Sequence, residues 1–187
     1  MGQDKRFLSI EGVALIDRTI RVLENLFEEV IVVLASPIKG WSVARHRVVY
    51  DLIPDCGSLG GLYTGLIESG YPRIFAAACD MPFLNPGVIR YLINADPEAD
   101  VVGAELESGF QPMHAVYSRR CLPILEQMTR SRSLKIQGLF KNPLLKVAAI
   151  SEVELMKLDP DLRSFRNINT PSDFVAAQTL LSECRDC

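Results

Sequence analysis

No stretch of this chain approaches the roughly 20 consecutive apolar residues that a bilayer-spanning helix needs, and its first residues are polar and charged, unlike a secretory signal. Neither sign of charge dominates, since 20 Lys and Arg stand against 23 Asp and Glu for a net charge of −3. A nucleic acid would therefore find no bulk field to hold it, and any phosphate recognition must be local. Cysteines are few and odd in number, five at irregular spacing, in a chain large enough not to need covalent staples. Cys184 and Cys187 make a C-x-x-C, but no second pair of ligands accompanies it, so no zinc site is expected. These absences predict a cytoplasmic protein with reduced thiols and with neither membrane nor nucleic acid as partner.

What is present suits one domain over residues 1–187, because 48% of the residues are hydrophobic and can fill a substantial core. The stretch over residues 73–84, R-I-F-A-A-A-C-D-M-P-F-L, organises the rest. Six uncharged residues lead into Asp80, and Pro82 discourages the strand from continuing. In an open α/β sheet ligands sit beyond the carboxyl ends of the strands, so Asp80 can face a pocket and offer oxygen to a hard cation such as Mg²⁺. An aspartate in that position also commonly just starts a turn.

Around it, apolar spacing predicts an amphipathic helix over residues 13–27, a doubly covered strand over 30–35 and a short strand over 47–50 that ends at Asp51. The run C-G-S-L-G-G-L opens a helix reaching about Glu68, with Ser58 as the expected N-cap. Its Gly57, Gly60 and Gly61 allow close approach of a ligand or of a neighbouring element. Further on, a helix from Pro86 to about Ala95 and a strand over 100–106 are expected. Residues 110–117 read as a strand that Pro112 consigns to an edge or a strand start, with His114 either a base or, more commonly, a packed side chain. Helices over 119–128 and 133–140 flank a basic linker in which Arg130 and Arg132 either clamp phosphate or stay solvated. Residues 144–150 read as a strand, and Ser151 with Glu154 forms a capping box. In the extended run 163–170, Asn167 and Asn169 alternate and share a face, and Thr170 caps a last helix that starts at Pro171. The fold class is α/β, a doubly wound, mostly parallel sheet with one antiparallel excursion near 110–117.

The segments M-G-Q-D-K, D-L-I-P-D-C-G-S-L-G-G-L, A-C-D-M-P-F-L, Gln111-Pro112, R-S-L at 132–134 and R-S-F-R-N-I-N-T-P-S-D-F occur in this order along nearly the whole chain. Together they resemble the molybdenum cofactor guanylyltransferases, the MobA family, which implies a three-layer α/β sheet of the nucleotidyltransferase type. The resemblance implies an enzyme that transfers GMP from GTP to molybdopterin and releases pyrophosphate, with Mg²⁺ as cofactor and molybdoenzyme maturation proteins as possible partners. Carried over by position, Lys5 and Asp80 would be catalytic, Gly2, Lys5, Asp51 and Asp80 would bind the nucleotide, and Asp80 would hold the metal. Gly57, Gly61, Arg132, Asn167 and Asn169 would form the pterin side. A cytidylyltransferase acting on the same pterin and a non-catalytic pterin- or partner-binding relative are the alternatives. Two departures bear on them. The family begins with a strand and an L-A-G-G-x-S-x-R loop ahead of M-G-x-D-K, and this chain starts after it, so a central strand and phosphate-loop donors are expected to be missing. Leu34 stands where the family often places an amide that reads the base.

Overall fold

The computed structural model of the chain describes residues 8–38 and 46–183. A hairpin of β1 (Ser9–Ile10) and β2 (Val13–Ala14) turns at Glu11 and Gly12, whose φ angles are 54° and 74°. It leads into α1 (Leu15–Glu24), which buries Leu15, Ile16 and Ile20 on one stripe. There follow β3 (Ile31–Leu34), β4 (Arg47–Tyr50), α2 (Gly57–Glu68), β5 (Arg73–Ala77) and α3 (Pro86–Ala95). The second half holds β6 (Val101–Leu106), β7 (Gly109–Ser118), α4 (Leu122–Arg130), β8 (Val147–Ser151), α5 (Glu152–Leu155) and α6 (Pro171–Glu183).

The main sheet has the order β5-β7-β6-β8. Strand β7 is antiparallel to both β5 and β6, while β8 is parallel to β6. Thus β5, β6 and β8 share one direction and β7 alone opposes them, as the alternation of elements implied. Strands β3 and β4 form a separate parallel pair. Their starts are tied to the start of β5: Tyr71 Oη donates to Glu28 Oε2 at 3.1 Å, and Arg47 bridges Glu29 and Glu68 at 3.2 and 2.8 Å. Strands β3, β4 and β5 therefore run the same way, yet β3 and β5 belong to different hydrogen-bonded sheets.

Helices cover both faces. On one, Leu59, Leu62 and Leu66 of α2 and Leu125 of α4 pack on Val101, Ala115 and Tyr117. On the other, Val88 and Leu92 of α3 and Leu155 of α5 pack on Val102, Ala104 and Val116. Each such buried aliphatic side chain contributes about 1.5–3 kcal/mol, so these two layers carry most of the stability. Gly103 lets the ring of Phe140 lie flat on β6, since a Cβ there would stand 2.7 Å from Phe140 Cε1.

Several sequence expectations need correction. Pro112 lies in a strand with neighbours on both sides, not at an edge. It is tolerated because β5 pairs only from His114 onward and the β6 ladder is interrupted between Gly103 and Glu105, so no bond needs the missing N–H. The helix expected over 133–140 is a 3₁₀ segment, Ile136–Lys141, and the preceding one starts only at Leu122 after the 3₁₀ turn Arg119–Cys121. Helix α2 is preceded by Cys56, not capped by Ser58, and its N-cap residue makes no side-chain cap bond. The capping box at Ser151 and Glu154 is present as read.

Candidate active site

The site grows from the turn between β4 and α2. The amide of Asp51 donates to the Leu34 carbonyl at 2.9 Å, which extends the β3–β4 pairing by one bond and fixes the carboxyl group just past the strand ends. The loop then folds back so tightly that a Cβ on Gly60 would stand 3.1 Å from both the Ile53 carbonyl and Cys56 Cβ. The Asp51 carboxylate consequently lies over the first turn of α2, with its two oxygens 3.7 and 3.9 Å from where Gly60 and Gly61 would carry a Cβ. Its Oδ1 is buried and meets no hydrogen-bond donor, and burial raises the pKa of the group above the usual carboxylate value. Gly57, with φ of 53°, turns the chain into the helix. That helix carries no acidic residue in its first turn and no side-chain cap, so its positive end is available to an anion.

Asp80 approaches from β5. It stands three residues beyond the strand's last residue, Ala77, rather than at the strand's tip as expected, and it is half-buried. The turn between is held by the Ala78 amide on the Met113 carbonyl at 3.2 Å, and by the Ile168 amide on the Asp80 carbonyl at 2.9 Å. The second bond brings the N-I-N run alongside. Ile168 is buried against Ile10 and Leu15, while Asn167 and Asn169 on either side of it are exposed. The amides of Asn169 and Thr170 donate to Asp173 Oδ2 at 2.9 and 2.7 Å, so the run is anchored at the start of α6.

Asp51, Gly57, Gly61 and Asp80 all line one cavity of about 850 Å³. Asp55 and Ser58 join them; both lie in the segment D-L-I-P-D-C-G-S, but Ser58 was expected only as a helix cap and Asp55 had no role. A second, apolar cavity of about 310 Å³ is bounded by Cys56, Met113, Leu134, Lys135 and Ile136, and it shares Gly57, Ser58 and Met113 with the first. Arg132, exposed and at φ of 57°, points its Nη1 to Cys56 Sγ at 3.7 Å and so stands beside the second cavity rather than the first. Asn167 and Asn169 line neither; they flank Ile168, whose amide is bonded to the Asp80 carbonyl. Gly2 and Lys5 lie outside the described residues. His114 is structural: it is fully buried between Phe75 and Phe165, with ring centroids 5.2 and 4.6 Å away.

Against known proteins, the description MobA-like NTP transferase domain matches residues 1–146. The chain belongs to that family. A molybdenum cofactor guanylyltransferase of Desulfosudis oleivorans is 34% identical over 187 residues, covering 98% of this chain and 90% of the relative. A probable molybdenum cofactor guanylyltransferase of Pelotomaculum thermopropionicum is also 34% identical, over 99% of this chain and 89% of the relative. Among solved structures, molybdopterin-guanine dinucleotide biosynthesis protein A from Archaeoglobus fulgidus superposes with a TM-score of 0.83 at 24% identity, over 97% of this chain and 92% of that one. The MobA-like assignment makes the chain a nucleotidyltransferase, and the superposition gives it the nucleotidyltransferase-type α/β fold.

Proposed function

We propose that this MobA-like chain transfers GMP from GTP to the phosphate of molybdopterin, releasing pyrophosphate. The observation that carries the reading is the convergence of Asp51, Asp80 and the uncapped start of α2 at one end of a single cavity. Two relatives of that name, matched over nearly the whole chain, supply the substrates.

A phosphate oxygen of the acceptor attacks the α-phosphorus of GTP. A new P–O bond forms, the bond to the β-phosphate breaks, and pyrophosphate leaves with the electron pair. No side-chain nucleophile is needed, so catalysis reduces to holding both phosphates in line and offsetting their charge. Helix α2 presents its N–H groups to a phosphate, and Lys5 adds a point charge. Asp51 holds the nucleotide by accepting from its hydroxyl or amino donors, which would satisfy the orphaned Oδ1.

The donor set suits Mg²⁺. Asp80 and Asp51 offer carboxylate oxygen to one cavity, and Mg²⁺ binds through one or two carboxylates with the rest of its shell from water and substrate phosphate. Among the described residues no group of three or more His, Cys, Asp or Glu could hold a metal ion by itself. When bound, the ion would neutralise triphosphate charge. Arg132, Asn167 and Asn169, with Gly57 in the wall common to both cavities and Gly61 in the larger one, would receive the pterin. We place the enzyme in the cytoplasm, where molybdoenzyme maturation proteins would take its product. Among the described residues no helix is long and apolar enough to cross a membrane.

Pyrophosphate release with GTP, molybdopterin and Mg²⁺ tests the reading, with CTP as the control. Preference for CTP would overturn the guanine assignment, and turnover unchanged in Asp80→Ala would overturn the site.

A further inference from the structure

The main sheet ends at β8, and among the described residues no strand pairs with its outer edge. The sequence does nothing to block that edge. The strand reads Val-Ala-Ala-Ile-Ser over 147–151, with neither a proline nor a charge to deter pairing. Bond parity shows which residues face outward. The Lys146 carbonyl accepts from the Asp100 and Val101 amides at 2.7 and 3.2 Å, and the Lys146 amide donates to Asp100 Oδ2 at 3.0 Å. Lys146 therefore turns both backbone groups toward β6. Ala148 and Ile150 follow it, while Val147 and Ala149 turn theirs away from the sheet. Ala149 and Ser151 are exposed, so no neighbouring side chain lies over this margin.

The ends of the strand carry the argument further. Leu144, 81% exposed, precedes it and Val153, 71% exposed, follows it; among the described residues these are the two most exposed large hydrophobic side chains. Leu144 is held out by a turn in which its amide donates to Asn142 Oδ1 at 2.9 Å and the Leu145 amide to the Asn142 carbonyl at 3.2 Å. Inside this apolar pair, Lys146 and Glu152 bracket the strand, each three residues from Ala149. Asp96 steadies the Lys146 ammonium at 2.9 Å, and Glu152 Oε2 accepts from the Glu107 amide at 2.8 Å, so both charges are fixed beside the edge with bonding capacity left over. That spacing complements itself under a two-fold axis. In an antiparallel pair centred on Ala149, the two alanines exchange both hydrogen bonds, and each Lys146 stands opposite a Glu152 of the other chain. Leu145, next to Leu144, falls opposite Val153 in the same register. An unrelated strand would have to reproduce this order of charge and apolar ends, whereas a second copy already has it. We propose that β8 is a dimerisation edge, to which a second copy of this chain adds antiparallel about Ala149. The two four-stranded sheets then become one of eight strands. No residue over 144–153 lines either cavity, so the proposal stands apart from the transferase reading.

The test is light scattering on the full chain, which should show twice the mass of one chain, in a concentration-dependent equilibrium. Lys146→Glu sets like charges opposite each other, and so does Glu152→Lys. Each alone should be monomeric at concentrations where the parent chain is a dimer. An equimolar mixture of the two restores both opposite-charge pairs and should return the dimer, which a loss of folding could not do. Ala149→Pro should be monomeric with its Tm kept, because the lost amide points away from β6. Ala149→Lys, which places a charge at the two-fold axis on an exposed side chain, gives the same reading if the proline form does not fold. In hydrogen exchange, the Val147 and Ala149 amides should slow about tenfold or more as the parent chain is concentrated. A parent chain that stays monomeric at millimolar concentration would overturn the proposal. So would a dimer that both Ala149 variants leave intact, or a charge-variant mixture that stays monomeric.

Discussion

The amide of Ile168 donates to the carbonyl of Asp80 at 2.9 Å, across 88 positions of sequence, and this one bond joins the acidic turn to the N-I-N run. Ile168→Pro removes the donor and should loosen Asp80 without touching any charge. A fall in kcat with a higher KM for both substrates is expected in steady-state pyrophosphate release. Asn167→Ala, which leaves the bond intact, should raise KM for molybdopterin alone.

Removing charge at the two aspartates should separate binding from folding. Asp80→Asn is expected to lower kcat by about 10²–10³-fold, the range seen when one electrostatic contact to a transition state is lost. Asp51→Asn should weaken GTP binding yet leave Tm unchanged or higher, because burial already disfavours the charged form of that group. Titration calorimetry with GTP and thermal melts measure the two effects.

His114 gives stability a pH dependence. Burial lowers its pKa from 6.5 to about 4, opposed by a hydrogen bond with the Ser164 backbone and by the charge of Asp159. The unfolded chain takes up the proton near pH 6.5 and the folded chain only near pH 4. Stability from this group is therefore full above pH 6.5 and falls as pH drops towards 4, by on the order of 3 kcal/mol. In His114→Phe, urea melts between pH 7 and 4 should lose this part of the slope.

Glycine substitutions should rank by the space around them. Gly103→Ala meets Phe140 at 2.7 Å and Ala115 at 3.1 Å and is expected to cost about 1–3 kcal/mol. Gly60→Ala presses on the Ile53 carbonyl at 3.1 Å and should displace Asp51 as well. Gly61→Ala, 3.9 Å from Asp51 Oδ1, should fold normally. Urea melts give the order.

Much of this site was legible in the sequence, for a physical reason in each case. The β-branched run 30–35 and the short apolar segment 47–50 announced β3 and β4, and Asp51 was read correctly as the residue that follows the second. Asp80 was found from a buried run ended by an acid, but its three-residue displacement from β5 depends on contacts with Met113 and Ile168 far away in sequence. Pro112 misled because a proline reports a missing donor, not whether the partner strand has already ended there. The segment 133–140 had apolar spacing, yet it tightens into a 3₁₀ form over the floor of the sheet beside Gly103. The second cavity was not foreseen, although Gly57, Pro112 and Leu134 in its wall belong to the motif segments.

Gly57, Ser58 and Met113 form a partition common to both chambers. Whatever fills one side must therefore set the width available on the other, and the two occupants cannot be chosen independently. Each should alter the other's affinity by an equal factor, so an inhibitor shaped for the smaller chamber would change how the enzyme discriminates among nucleotides it never touches.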